Sequence, residues 1–200
     1  MSFLLQNILE ELNLCYIYNM DDNEIIEICK SGNKEIFKEL IEKYSSSIFN
    51  FVAHMTRKIE ATDITQDIFI KAWKNLYKYN HEKSSFKTWL FTIAKNTAID
   101  FLKKKKNITF ADLNIDENED FSENIKDENP LPDQVLEKLE QSALLNNLIN
   151  ELPIHYKNVL ILHYQEEMTF LEIGKILEKP LNTVKSYHRR AILYLRKKLN

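Results

Sequence analysis

Apolar side chains recur every three to four residues through most of this chain, and where that rhythm fails the composition changes as well. Ile36, Phe37, Leu40, Ile41, Tyr44, Ile48, Phe51, Val52 and Met55 form one continuous stripe, which predicts an amphipathic helix. A shorter helix precedes it: Asp21 and Asp22 introduce Glu24-Ile25-Ile26-Glu27-Ile28, and Gly32 can close it. Ile64, Ile68, Phe69, Ala72, Trp73 and Leu76 then predict a helix over 61–79, on which Asp63 and Asp67, four apart, share a face. The polar loop from Asn80 to Ser85 leads into a fourth helix over 86–106, with Ser85 as its N-cap. Trp89, Leu90, Ile93, Ala94, Ala98, Phe101 and Leu102 are its expected apolar face.

From Asn107 to Ser142 the period is lost. Eleven acids stand there against Lys126 and Lys138, a local charge of -9, and Pro130 and Pro132 interrupt any helix. Such a stretch cannot bury enough apolar surface to order itself, so 107–134 reads as an acidic flexible linker. Helical spacing resumes from Val135 to Leu148. Leu152-Pro153 then opens a helix carrying Tyr156, Val159, Leu160, Leu162 and His163.

The last thirty-odd residues change character again. Thr169 followed by Glu172 is a capping box, Pro180 cannot continue that helix, and Asn182 or Thr183 can cap the next one. Lys179, Lys185, Arg189, Arg190, Arg196, Lys197 and Lys198 give the segment from Lys179 to Asn200 a charge of +7 with no acid, in a chain whose net charge is -3. Two short helices joined by a tight turn, the second basic, are the pattern of a helix-turn-helix that sets its second helix in the DNA major groove. Lys103 to Lys106, after Lys83, Lys87 and Lys95, exceed what a helix dipole needs and mark a second nucleic-acid surface. The -9 segment beside the +7 tail leaves two readings open: the two associate in the free protein, or the segment is a solvated tether because salt screens exposed charges over about 8–10 Å.

Composition narrows the class. Of 200 residues only two are glycine and four proline, too few for the turns of a sandwich or barrel. The expected fold is all-α: an N-terminal extension over 1–20, a helical domain over 21–106, the linker over 107–134, and a helix-turn-helix domain over 135–200. Gly32 and Gly174 stand alone, which leaves no phosphate-cradling loop. His54, His81, His155, His163 and His188 are scattered without a nucleophile or metal-ligand partner, so no catalytic residue, metal or cofactor is expected. His163, Trp73 and Trp89 read as core residues, with Phe91 and Tyr77 as weaker base-stacking candidates. Cys15 and Cys29 read as reduced thiols, no stretch is apolar enough for a membrane span, and Glu10 and Glu11 without a basic leader argue against a signal peptide. A cytoplasmic location is the expectation.

Asp63-Ile64-Thr65-Gln66-Asp67-Ile68-Phe69-Ile70-Lys71-Ala72-Trp73 and Phe86-Lys87-Thr88-Trp89-Leu90-Phe91-Thr92-Ile93-Ala94-Lys95-Asn96 closely resemble region two of extracytoplasmic-function RNA polymerase sigma factors. Leu152-Pro153 through Leu162, Glu172-Ile173-Gly174 and Thr183-Val184-Lys185-Ser186 resemble region four. The resemblance implies that Asp63, Gln66 and Asp67 dock on core polymerase. It implies further that Lys83, Ser84, Lys87, Lys95, Asn96 and Lys103 meet the minus-ten element, with Asn96 at a base-contacting position. Thr183, Lys185, Ser186, Arg189 and Arg190 would meet the minus-thirty-five element. Core RNA polymerase and promoter DNA are the implied partners, with an anti-sigma factor as a further candidate, and the acidic linker would thread a cationic channel of the polymerase.

The chain also departs from that pattern. Asn182 stands where the family has Gly before Thr-Val, and Tyr187-His188-Arg189-Arg190 replaces the usual Arg-Leu-His-Arg, so an unusual promoter is expected. Lysines replace arginines after the fourth helix and hold phosphate as point charges without a bidentate fork. The first nineteen residues lie outside the pattern, and Met20 matches the family's usual start. Composition and these departures are similar to the clostridial branch that drives toxin or bacteriocin genes. The competing reading is a stand-alone helix-turn-helix regulator that binds duplex DNA without polymerase, but such a regulator has no need of the Asp63/Asp67 face joined to a basic helix.

Overall fold

The computed structural model describes residues 20–56, 58–106 and 148–199. Cys15, the acidic segment, the sequence expected to be helical from Val135 to 147, and the first nineteen residues lie outside the described residues. The described residues carry helices and no strand.

The first helix, α1 (Asp22–Lys30), begins on a capping box that the sequence did not single out. The Asp21 carboxylate accepts from the N–H groups of Asn23 and Glu24 at 2.7 and 2.9 Å, while Glu24 accepts from the Asp21 N–H at 3.1 Å. Gly32 follows with φ +119°, a backbone state L side chains rarely adopt. The long α2 (Phe37–Met55) buries Leu40, Tyr44, Ile48, Phe51 and Val52. Ile41 was expected in that stripe and instead lies 36% exposed, because it is rotated about 100° from Leu40 and falls on the stripe's flank.

The helix expected over 61–79 divides into α3 (Lys58–Lys74) and a 3-10 turn, Leu76–Lys78. Asn75 sits at the break, where its side-chain amide donates to the Lys71 carbonyl at 2.8 Å and competes with the backbone ladder. Ser85 caps α4 (Phe86–Lys106) as expected, its hydroxyl accepting from the Thr88 N–H at 3.2 Å. Phe37 meets Trp73 at 5.0 Å between ring centroids, and Tyr79, Phe86 and Trp89 form a ring cluster with separations of 5.5–5.7 Å. Phe91, a base-stacking candidate in the sequence, is fully buried against Phe51 and belongs to the core.

In the C-terminal part, residues 148–151 are helical and Pro153 precedes α5 (Ile154–Leu160). The chain then widens into a π-helical segment, Ile161–Gln165, where the Glu166 N–H reaches back to the Ile161 carbonyl at 3.2 Å. Next come α6 (Phe170–Leu177) and α7 (Leu181–Leu199). Because α7 already begins at Leu181, Asn182 and Thr183 lie inside its first turn and neither caps it. The Pro180 carbonyl accepts from the N–H groups of Thr183 and Val184 at 3.0 and 3.1 Å.

Leu148, Leu152, Tyr156 and Leu160 pack on Ala191, Ile192 and Leu195 in a cluster that holds α5 to α7. A second, larger cluster is continuous from α1–α4 into the C-terminal part and includes Ile173, Ile176 and Val184. The packing that joins the two parts runs mainly between α4 and α6, with a smaller contact between α2 and α5. No helix among the described residues is long and apolar enough to cross a membrane.

Candidate nucleic-acid interface

The turn between α6 and α7 is built from three local requirements. Thr169 starts α6, its hydroxyl accepting from the Glu172 N–H at 3.3 Å while the Glu172 carboxylate accepts from the Thr169 N–H and hydroxyl at 2.9 and 2.7 Å. This satisfies donors that a helix start leaves open. Gly174 allows the chain to fold back closely, since a β-carbon there would stand 3.0 Å from the Lys179 carbonyl oxygen. Glu178 ends α6 in the left-handed region with φ 55°, which lets the Lys179 N–H bond the Gly174 carbonyl at 3.0 Å.

That turn sets α7 with one face inward and one outward. Val184, Ala191, Ile192 and Leu195 are buried, whereas Lys185, Ser186, Arg189 and Arg190 are exposed, and Thr183 is half-buried. The Ser186 hydroxyl donates to the Asn182 carbonyl at 2.9 Å, so only its lone pairs are left for a ligand.

Tyr187 and His188, the departures noted in the sequence, are half-buried and turn toward α5 and the π-helical segment. His188 Nε2 lies 2.9 Å from the Tyr164 hydroxyl, and its ring stands edge-on to His163, 5.4 Å away. Burial, with a smaller push from His163, lowers the His188 pKa to about 4. His163 stacks on Phe170 at 4.4 Å and donates from Nδ1 to the Met168 carbonyl at 2.9 Å, so it is a packing residue of this motif. His155 is also lowered, by burial and then by Lys179 and Arg190.

The second basic surface is less open. Asn96 and Lys83 are exposed on α4 and the loop before it, while Ser84, Lys87 and Lys103 are half-buried. The Ser84 carbonyl accepts from the Tyr79 hydroxyl at 3.2 Å, which fixes the loop. Lys87 Nζ lies 3.0 Å from a Glu166 carboxylate oxygen and donates to the Glu166 carbonyl at 2.7 Å. Lys95, only 9% exposed, pairs with the Glu178 carboxylate at 3.0 Å. Lys175 donates to the Lys83 carbonyl at 2.8 Å, and Thr88 to Glu172 at 3.5 Å.

Burial works against a charge on Glu172. Its bonds from Thr169 and Thr88, with Lys87 nearby, outweigh that and hold its carboxyl below the ordinary range. Glu166 and Glu178 were missed in the sequence because nothing local marks an acid whose partner is some eighty residues away.

On α3, Asp63, Gln66 and Asp67 are all exposed, opposite the buried Ile64, Ile68 and Ala72. Ile70, 49% exposed, is an apolar residue among them. The three candidates therefore share a solvent-facing polar face of α3.

Two family descriptions match this chain in order: Sigma-70 region 2 over residues 40–108 and Sigma-70, region 4 over residues 142–195. The ECF RNA polymerase sigma factor SigW of Bacillus subtilis is 33% identical over 87% of this chain and 94% of its own length. The sigma factor YlaC of the same organism is 30% identical over 84% and 94%.

Among solved structures, CnrH in complex with the cytosolic domain of CnrY has the same fold, with a TM-score of 0.62 at 20% identity, covering 89% of this chain and 96% of CnrH. RpoE of Bartonella quintana, in complex with the anti-sigma factor NepR, gives 0.58 at 21% identity over 82% and 96%. With both regions matched in their expected order and SigW related over nearly its whole length, the chain belongs to the extracytoplasmic-function sigma factors, alternative sigma factors that direct transcription initiation by RNA polymerase.

Proposed function

We propose that three surfaces divide the work of initiation: α3 docks core RNA polymerase, α4 and its preceding loop capture the unpaired minus-ten strand, and α7 reads the duplex minus-thirty-five element. The observation that carries this reading is the two-faced α7, with Val184, Ala191, Ile192 and Leu195 buried and Lys185, Ser186, Arg189 and Arg190 outward. A helix of about 10–12 Å diameter fits the B-DNA major groove, where an arginine fork can take both guanine acceptors and Lys185 a phosphate. The half-buried Thr183 sits at the start of the same helix. Residues 135–200 would be the duplex-reading domain.

Residues 21–106 would be the other working unit. The exposed Asn96 amide can pair with the edge of a base taken out of the stack, an extrusion that costs a few kcal/mol and needs compensating contacts. Lys83, Lys87, Lys95 and Lys103, with Ser84, would hold the strand's phosphates. Asp63, Gln66 and Asp67 give α3 an acidic face suited to basic residues of the polymerase. The acidic 107–134 segment would lie in a cationic channel of the enzyme between the two units, and work with core polymerase sets the protein in the cytoplasm.

An anti-sigma factor is the further partner we assign, by extension from CnrH and the Bartonella factor, each of which was solved with its own partner. The Lys-, Asn- and Ile-rich composition and the Tyr187-His188 pair support the clostridial branch that drives toxin or bacteriocin genes. Core polymerase plus this chain is expected to start transcription at a cognate promoter. Arg189→Ala should weaken binding of the upstream duplex by roughly 1–3 kcal/mol, whereas Asn96→Ala should impair opening and leave upstream binding intact. Permanganate footprinting on closed and pre-melted templates separates the two. The same defect on both templates for both variants would overturn the division of labour.

A further inference from the structure

We propose that α6 and the turns on either side of it form a latch over the strand-capturing face of α4, closed by lysine–glutamate pairs that nucleic acid must displace. The inference rests on the reading of Lys87 and Lys95 as strand contacts. Those two cations are the ones the C-terminal domain occupies: Lys87 pairs with Glu166 and Lys95 with Glu178, each at 3.0 Å, while Lys175 bonds the Lys83 carbonyl at 2.8 Å. Carboxylate and phosphate oxygens compete for the same ammonium groups. With Lys95 only 9% exposed, a phosphate cannot reach it while the seam is shut.

Two features mark these acids as more than surface decoration. The Glu166 carboxylate is 7% exposed, and a buried charge is tolerated only when paired, so Lys87 and Glu166 must separate into water together. Glu178 holds φ 55° at the helix end, where glycine would be unstrained. The chain instead carries a residue there whose carboxylate meets Lys95 on the other domain.

The apolar contacts of Ile173 and Ile176 close the seam, and the ion pairs make it responsive to a polyanion. Closure and strand capture therefore exclude each other, and by linkage each weakens the other equally.

The test uses the full chain without polymerase. Carbodiimide, which joins an amine to a carboxylate in contact, should couple Lys95 to Glu178 and Lys87 to Glu166 at low salt, as read by peptide mass spectrometry. Added oligothymidylate should suppress both couplings. Glu178→Gly combined with Glu166→Gln should bind oligothymidylate roughly three- to tenfold more tightly. Absence of either coupling, or couplings and affinity that ignore oligothymidylate and the substitutions, would overturn the latch. Promoter-dependent transcription with core polymerase is read separately, so a failed latch leaves the assignment of the strand-capturing surface to its own assay.

Discussion

The Tyr164 hydroxyl and His188 Nε2 lie 2.9 Å apart, joining the π-helical segment to the helix that carries Lys185 and Arg189. Two residues that looked like deviations in a DNA-reading stretch prove to face the other way. His188 anchors α7 through Tyr164, His163 and Phe170, and the exposed cations around it inherit their aim from that anchor.

A pH dependence follows from the same ring. The imidazole titrates near 6.5 when unfolded and at about 4 in the fold, so between those values the unfolded chain binds the additional proton and folding weakens as pH falls. His54, lowered by burial and by Lys157, and His155 contribute with the same sign. Stability should be full above about pH 6.5 and lower by about 1–2 kcal/mol near pH 4.5, after allowance for the ring's partial solvent access. Denaturant titrations across that range check it, and His188→Phe should flatten the slope. A slope unchanged by that substitution would remove His188 as a source.

Gly174→Ala should destabilise the C-terminal domain. Exchanging glycine for alanine inside a helix ordinarily helps by about 1 kcal/mol, but here the new methyl would stand 3.0 Å from the Lys179 carbonyl, which is backbone and cannot swing aside. The clash should win, with a net loss of about 1–3 kcal/mol and weaker binding to upstream duplex DNA. Thermal unfolding that shows a gain would mean the turn can open at little cost.

For Asp67→Lys the expected loss is in polymerase binding alone. The carboxylate is exposed and far from the apolar face of α3, so helicity and thermal midpoint should hold. Reversing a charge at a desolvated contact should weaken core binding by about 2–5 kcal/mol. Titration of labelled core with each protein decides the matter, and equal affinities would take Asp67 out of the interface.

Most individual helices were legible in the sequence because each buries a stripe whose spacing is local. The capping box at Thr169 and Glu172, the Ser85 cap and the faces of α2 and α4 all follow from neighbours within four residues. The joint between the domains was not legible. Ile173 and Ile176 read equally well as a helix-turn-helix's own core, and nothing in their spacing tells that they complete a cluster with α4. The same blindness applied to charge. The acids that pair with Lys87 and Lys95 are Glu166 and Glu178 of the folded C-terminal part, each some eighty residues from its partner along the chain, and no local pattern marks either pair. The candidate site residues on α3 and α7 lie where helical spacing puts them, because an exposed face is simply what remains after burial.

The wide turn from Ile161 to Gln165 carries one residue more than an α-helical turn needs, its closing bond running from the Glu166 N–H to the Ile161 carbonyl. That surplus residue acts as a phase shifter. Deleting it would restore ordinary winding and rotate everything downstream by about 100° about the local axis. Phe170 would then leave its place over His163, and α6 would present a different edge to α4. The side of α7 that faces outward, and the edge of α6 that meets α4, are thus set by a single inserted residue inside a stretch that looks, in sequence, like uninterrupted helix.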